Sequence, residues 1–236
     1  MPIPDLRQRN LQPELMDDPE LEQGEHQRAL AGLKRIHHFT GIEGRFWRVI
    51  KRKINSRKLK SFTVLDIGCG DATLLRRISK RSQSAGYQSK IIGCDFSEQA
   101  LAMAQVAAAT ENIPLETLQC DITKDNIPLQ ADIVICSLFL HHFSNDEIPR
   151  ILEKLAESAK SMLLIEDLIR SSLGYMLCQI GVHLLSRSPI VHFDGPRSVE
   201  GALTTEEIKE LLLKANLSDA TITKHWPERF LLTLDK

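Results

Sequence analysis

Apolar and polar residues fall along this chain in blocks of two different periods, and the blocks themselves alternate. Residues 63–67 form a β-branched and apolar run suited to a buried strand, and residues 73–78 follow with apolar positions at helical spacing. The pattern repeats: a strand at 90–95 precedes a helix at 98–110, and residues 118–120 close a third strand. Further on come a helix at 146–158, a strand at 161–165 and a helix at 205–215. Segments 220–225 and 230–234, around Trp226-Pro227-Glu228, read as a closing antiparallel hairpin. Strands that alternate with helices pair in parallel through right-handed crossovers, which predicts an α/β fold with a doubly wound, mostly parallel sheet.

Two stretches stand outside this alternation. The first 25 residues are polar, acidic and proline-containing, with turn-like segments at 13–17 and 18–20. Helices are predicted at 25–39, through Leu30, Leu33 and Ile36, and at 44–55, through Phe46, Trp47, Ile50 and Ile54. Residues 1–59 thus read as an arm and helices capping the active site of a domain spanning 60–236. Within that domain, 170–203 is longer than a crossover needs, and its residues 173–185 are apolar almost all round. Such a helix must be covered. It reads either as a lid over the carboxyl ends of the strands or as a homodimer interface.

Composition adds exclusions. The 236 residues, 42% of them hydrophobic, suffice for a full core without disulfides. Five cysteines without a Cys-x-x-Cys pair read as small buried residues in a reducing, cytoplasmic setting, with no metal-ligand spacing. No run reaches the ~18 apolar residues of a membrane span. A net charge of -1 argues against a nucleic-acid partner. Residues 45–60 do carry eight Lys and Arg without an acid. That segment is either a solvated helix face or a peripheral contact with anionic membrane.

The most informative local pattern is Val64-Leu65-Asp66-Ile67-Gly68-Cys69-Gly70, in which an acid and two glycines stand at a strand-to-helix turn. Glycine lets the backbone approach a ligand there. A dinucleotide pyrophosphate wants a third glycine where this chain has Thr73, and it would be repelled by Asp66 and Asp71. S-adenosylmethionine, a sulfonium without phosphate, suits the carboxylates better. Asp95 ends the next strand and can accept from ribose hydroxyls. Asp121 follows the third strand near the place of an adenine amine, with Phe96 and Ile122 as apolar walls.

In these segments the chain resembles the class I S-adenosylmethionine-dependent methyltransferases, over roughly residues 60–236. The resemblance implies a Rossmann-like, seven-stranded sheet and cofactor contacts at Asp66, Gly68, Gly70, Asp95 and Asp121, to which Cys69, between the glycines, and the walls Phe96 and Ile122 are added. Residues 132–143, ending Leu140-His141-His142-Phe143, look like the fourth strand and its exit loop, which adds Ser137 and Leu138. The Leu-His-His run is similar to the branch with quinone-biosynthesis and small-molecule methyltransferases, and 170–203 resembles bacterial polyketide-pathway members. An acceptor that is small, apolar and aromatic, quinol or polyketide-like follows from that likeness, methylated on oxygen or, next, carbon. The rival readings are a cofactor-binding partner protein without turnover and an NAD-dependent oxidoreductase.

A phenol or enol acceptor benefits from a base, and histidine is best tuned for it. His192, with Asp194 two positions on, is the preferred candidate; His142 and His141 lie beyond the fourth strand. His37 and His38 flank a helix, and Glu166 and Asp167 end the fifth strand. No His-x-x-x-His spacing implies a metal.

Overall fold

The computed structural model describes residues 4–17 and 21–236; the turn expected at 18–20 lies outside them. A seven-stranded sheet has the order β3-β2-β1-β4-β5-β7-β6. Its strands are β1 (Ser61–Ile67), β2 (Gln88–Asp95), β3 (Leu115–Gln119), β4 (Ala131–Ser137), β5 (Ala159–Leu168), β6 (Thr221–His225) and β7 (Arg229–Asp235). The first five pair in parallel, and β7 runs antiparallel to both β5 and β6. The order reverses between β1 and β4, and a doubly wound sheet opens its binding crevice at the carboxyl ends of such a pair.

Helices α2 (Ile42–Ser56) and α3 (Thr73–Ser84) cover one face, while α5 (Ile148–Ser158) and α8 (Thr205–Lys214) pack together on the other. The apolar stripe of α2, Phe46, Trp47, Ile50 and Ile54, is buried against Leu75, Ile78 and the central strands. Arg48, Lys51 and Arg52 of that helix remain exposed. α4 (Glu98–Thr110) starts at Ser97, whose side chain accepts from the Ala100 N–H and so satisfies a helix-end donor.

The fifth strand is longer than its apolar run suggests. It continues through Glu166 and Asp167, 0% and 1% exposed, because both carboxylates have buried cationic partners. The segment 188–196, rich in proline and glycine, is a helix as well: α7 (Pro189–Gly201) follows α6 (Ser172–Leu185). Pro189 occupies the first helical turn, where its missing N–H costs nothing. Together with α1 (Gln23–Thr40), these helices lie over the carboxyl end of the sheet. α6 turns Val182 inward and leaves Leu173, Met176, Ile180 and Leu184 exposed along its outer side. Among the described residues no helix is long and apolar enough to cross a membrane.

The arm of residues 4–17 is pinned across this cover. Arg9 donates to the carbonyls of Gly201 and His141, and the Arg170 guanidinium donates to the Leu6 carbonyl. The Leu15 and Met16 N–H groups donate to the Asp194 carboxylate at 2.8 and 3.0 Å.

Candidate active site

The turn after β1 is built for close approach. Gly68 has φ +68, and a Cβ there would lie 2.5 Å from the Phe139 ring, so no other residue fits. Gly70 also has a positive φ, +53, but a Cβ on it would meet nothing within 4 Å. Its backbone faces open space of a kind a ligand can fill.

Asp95 fixes this turn from the tip of β2. One carboxylate oxygen accepts from the Gly70 N–H at 2.9 Å and the other from the Ser97 N–H at 3.0 Å. The carboxylate is thereby aimed and immobile, with lone pairs left for hydroxyls. Phe96, beside it, is 60% exposed and stands at the cleft mouth, as an apolar wall for a flat ring would. Asp121, at the end of the third strand, accepts from Thr123 and pairs with Lys124 at 2.8 Å. The Lys124 hydrogen bond, with those from Thr123, holds its pKa down at about 2.

The other two acids differ from the sequence reading. Asp66 is 2% exposed and its Oδ1 has no partner; burial, reinforced by Asp95, pushes its pKa well up. Asp71 is tied to Lys34 of α1 at 2.7 Å and to Thr73. The negative character facing a ligand therefore rests on Asp95 and Asp121. Burial likewise pushes the Cys69 thiol up, which leaves it an inert wall.

All ten residues assigned to a cofactor from the sequence line one cavity of about 640 Å³. The cavity continues into an apolar compartment formed by Met16, Leu21, Leu33, Ile36, Val182 and Val191, contributed by the arm and by α1, α6 and α7. His37, His141, His142 and Arg229 also line it.

His141 sits in a buried relay. Its Nδ1 is 2.7 Å from Asp167 Oδ1, and its Nε2 is 3.6 Å from Glu14 Oε1. Asp167 also receives the N–H groups of Phe139, His141 and Leu168, so one carboxylate shapes the whole exit of β4. Burial alone would lower the His141 pKa, but Asp167 and Glu14 outweigh it and raise it to about 10. At neutral pH this ring is an imidazolium. His142 lies beside it, ring centroids 4.2 Å apart. It is exposed, yet desolvation by the protein around it and the charge on His141 bring its pKa down to about 4. One of two adjacent histidines is thus charged and the other neutral.

A pH dependence of stability follows from His141. Its folded pKa lies above its ordinary value near 6.5, so its contribution is full below about pH 6.5 and is lost as pH rises through about 10. Melting temperatures of the parent and of His141→Gln, measured between pH 6 and 10.5, should converge at the alkaline end. A constant gap would show that the ion pair with Asp167 is not the source.

His192 is placed differently from its expected role. Its Nε2 meets the Ser186 carbonyl at 2.9 Å, its ring stacks on His183 at 4.2 Å, and it is not among the described residues that line the cavity. Asp194, expected to orient it, instead receives the arm's N–H groups. Residues two apart on a helix point to different sides. The His38 side chain lies outside the described residues.

Glu166 is a structural partner: Arg45 donates to both its oxygens, at 2.8 and 2.5 Å. Glu14, Arg45 and Arg229 escaped the sequence reading, having no motif and meeting their partners across more than sixty residues. Glu14, His141 and His142 also bring three ligand-capable atoms within 4.8 Å of one another, which makes them the group that could hold a metal among the described residues. A bound cation would have to displace the proton that Asp167 and Glu14 hold on His141.

A reversal-point crevice with a glycine turn, a fixed acid at the second strand and an apolar annex is the arrangement of a Rossmann-like nucleoside-binding fold. Residues 64–161 match the methyltransferase domain family. Among solved structures the chain is similar to the plantazolicin methyltransferase BpumL in complex with a triazolic desmethylPZN analog and SAH. That match has 19% identity over 90% of this chain and 96% of the other, with TM-score 0.65. It is also similar to the S-adenosylmethionine-dependent methyltransferase SibL, at 18% identity over 74% of this chain and 50% of the other, TM-score 0.56. An O-methyltransferase family 2 protein from Planctomyces limnophilus, in complex with apigenin, matches at 18% over 74% of this chain and 51% of the other, TM-score 0.54. The chain thus spans about half the length of the last two. No curated protein matches it.

Proposed function

We propose that this chain methylates oxygen, or failing that carbon, of a small, largely apolar acceptor such as a phenol, quinol or polyketide-like enol. The observation that carries this reading is the continuity of one cavity, from Gly70 and Asp95 at one end to Leu33, Val182 and Val191 at the other. S-adenosylmethionine, when bound, supplies a methyl carbon activated by its positive sulfur. The open backbone at Gly70, the aimed carboxylate of Asp95 and the walls Phe96 and Ile122 suit its nucleoside.

The remaining work falls to the chain's own side chains. Alignment and exclusion of water contribute most to such a displacement. Residues of α1, α6 and the arm supply both by enclosing the acceptor compartment. His142, neutral at pH 7, takes the acceptor proton on a ring nitrogen. His141 holds the β4 exit loop in place through Asp167.

Asp95→Ala should weaken S-adenosylmethionine binding by about 1.5–3 kcal/mol, through loss of charge-assisted hydrogen bonds. An unchanged calorimetric affinity would remove Asp95 from the site. Release of S-adenosylhomocysteine on screening phenols, quinols and pyrones tests the acceptor class. Cofactor affinity with no turnover across the screen would count against an enzymatic role.

A further inference from the structure

The buried cluster at the inner end of the cleft contains two guanidinium groups and one carboxylate to answer them. Arg45 takes both oxygens of Glu166. Arg229, 4% exposed, turns its Nη1 toward Glu166 Oε1 but only to 3.7 Å, beyond hydrogen-bond reach, and neither that atom nor its buried Nε has a hydrogen-bond partner. The neighbouring acids are committed elsewhere. Both oxygens of Asp167 are taken by His141 and by the N–H groups of Phe139, His141 and Leu168, while Glu14 accepts from Ser198 and faces His141. An arginine whose donors are buried and unanswered is costly unless a ligand answers them. Arg229 lines the cavity. His37, which lines it too, has a buried Nε2 without a partner. Burial, and next the charge on Arg229, keep that imidazole neutral, with a pKa of about 4.

Resting on the reading of this cleft as a methyl-acceptor pocket, we infer that the acceptor is an oxyanion, a carboxylate or an ionised phenol or enol, seated on Arg229 and His37. A guanidinium offers such a group two parallel N–H donors, and the apolar walls take its hydrocarbon body. The same cation lowers the pKa of an acidic hydroxyl beside it. A base as weak as His142 can take the proton of a hydroxyl acidified in this way, so the inference joins two otherwise separate features.

The test is calorimetric titration with 2-naphthoate, its neutral amide, 2-naphthylmethylammonium and an acidic nitronaphthol, with and without S-adenosylhomocysteine. We expect one or both anions to bind at least about 10-fold more tightly than the amide, and the ammonium not to bind. Which anion wins separates carboxylate from ionised hydroxyl. In Arg229→Gln the preference should shrink to about 2-fold with S-adenosylhomocysteine affinity unchanged, and Arg229→Lys should restore part of it. Equal binding of acid and amide by the parent protein overturns the inference, whether or not the variants fold. Survival of the preference in Arg229→Gln does so too. Absence of S-adenosylhomocysteine binding alongside a kept acid preference would instead sink the methyltransferase reading.

Discussion

Glu166→Ala is expected to destabilise the protein by about 3–5 kcal/mol, because breaking a buried ion pair strands the charges that remain. Arg45 and Arg229 side chains are 11% and 4% exposed, and Glu166 is wholly buried between them. Removing the carboxylate leaves two buried cations, with Asp167, already bonded to His141, as the remaining anion acting on Arg229. Urea denaturation at pH 7 should show the loss as a lower midpoint with little change in slope. A midpoint displaced by less than the equivalent of about 1 kcal/mol, in the range of exposed pairs, would mean that solvent reaches the cluster. Glu166→Gln, which keeps the shape and two polar atoms, should fall between.

His142→Ala is expected to lower turnover about 10²-fold or more, in the range of general-base contributions, with S-adenosylmethionine affinity unaltered. The pH profile carries the more particular prediction. A base with a pKa near 4 stays competent down to about pH 5, so the acid limb should lie near 4 and not near the ordinary histidine value of about 6.5. Replacing Glu14 with Gln removes one anion that opposes this lowering and should move the limb further down. An acid limb near 6.5 that persists in His142→Ala would assign the proton to another group.

The parts of this site that local pattern encodes were readable. A glycine turn after an apolar strand, an acid at the next strand's tip and a phenylalanine beside it each lie within a few residues of the feature that defines them, and all converge on one cavity. What the pattern did not carry is charge state and partnership. Asp66 and Asp71 looked like equivalent anions to Asp95, yet burial disfavours the charge on the first and Lys34 occupies the second. His192 and Asp194 looked paired because they are close in sequence; once 189–201 is helical, proximity of two positions separates their side chains. Glu166 and Asp167 ended the predicted strand on polarity alone, whereas Arg45 and His141, distant in the chain, allow them to continue it inward. Pairings of that range depend on topology, and no window of residues contains them.

Glu14, ahead of the first helix, and Arg229, at the start of the last strand, line the same chamber. A ribosome adding about 5–20 residues per second therefore exposes the nascent polypeptide for on the order of tens of seconds before both walls exist together. Within that interval the strands that carry the glycine turn, from Ser61 to Ser137, are all made. The chamber beyond that turn is walled only once β7 has emerged.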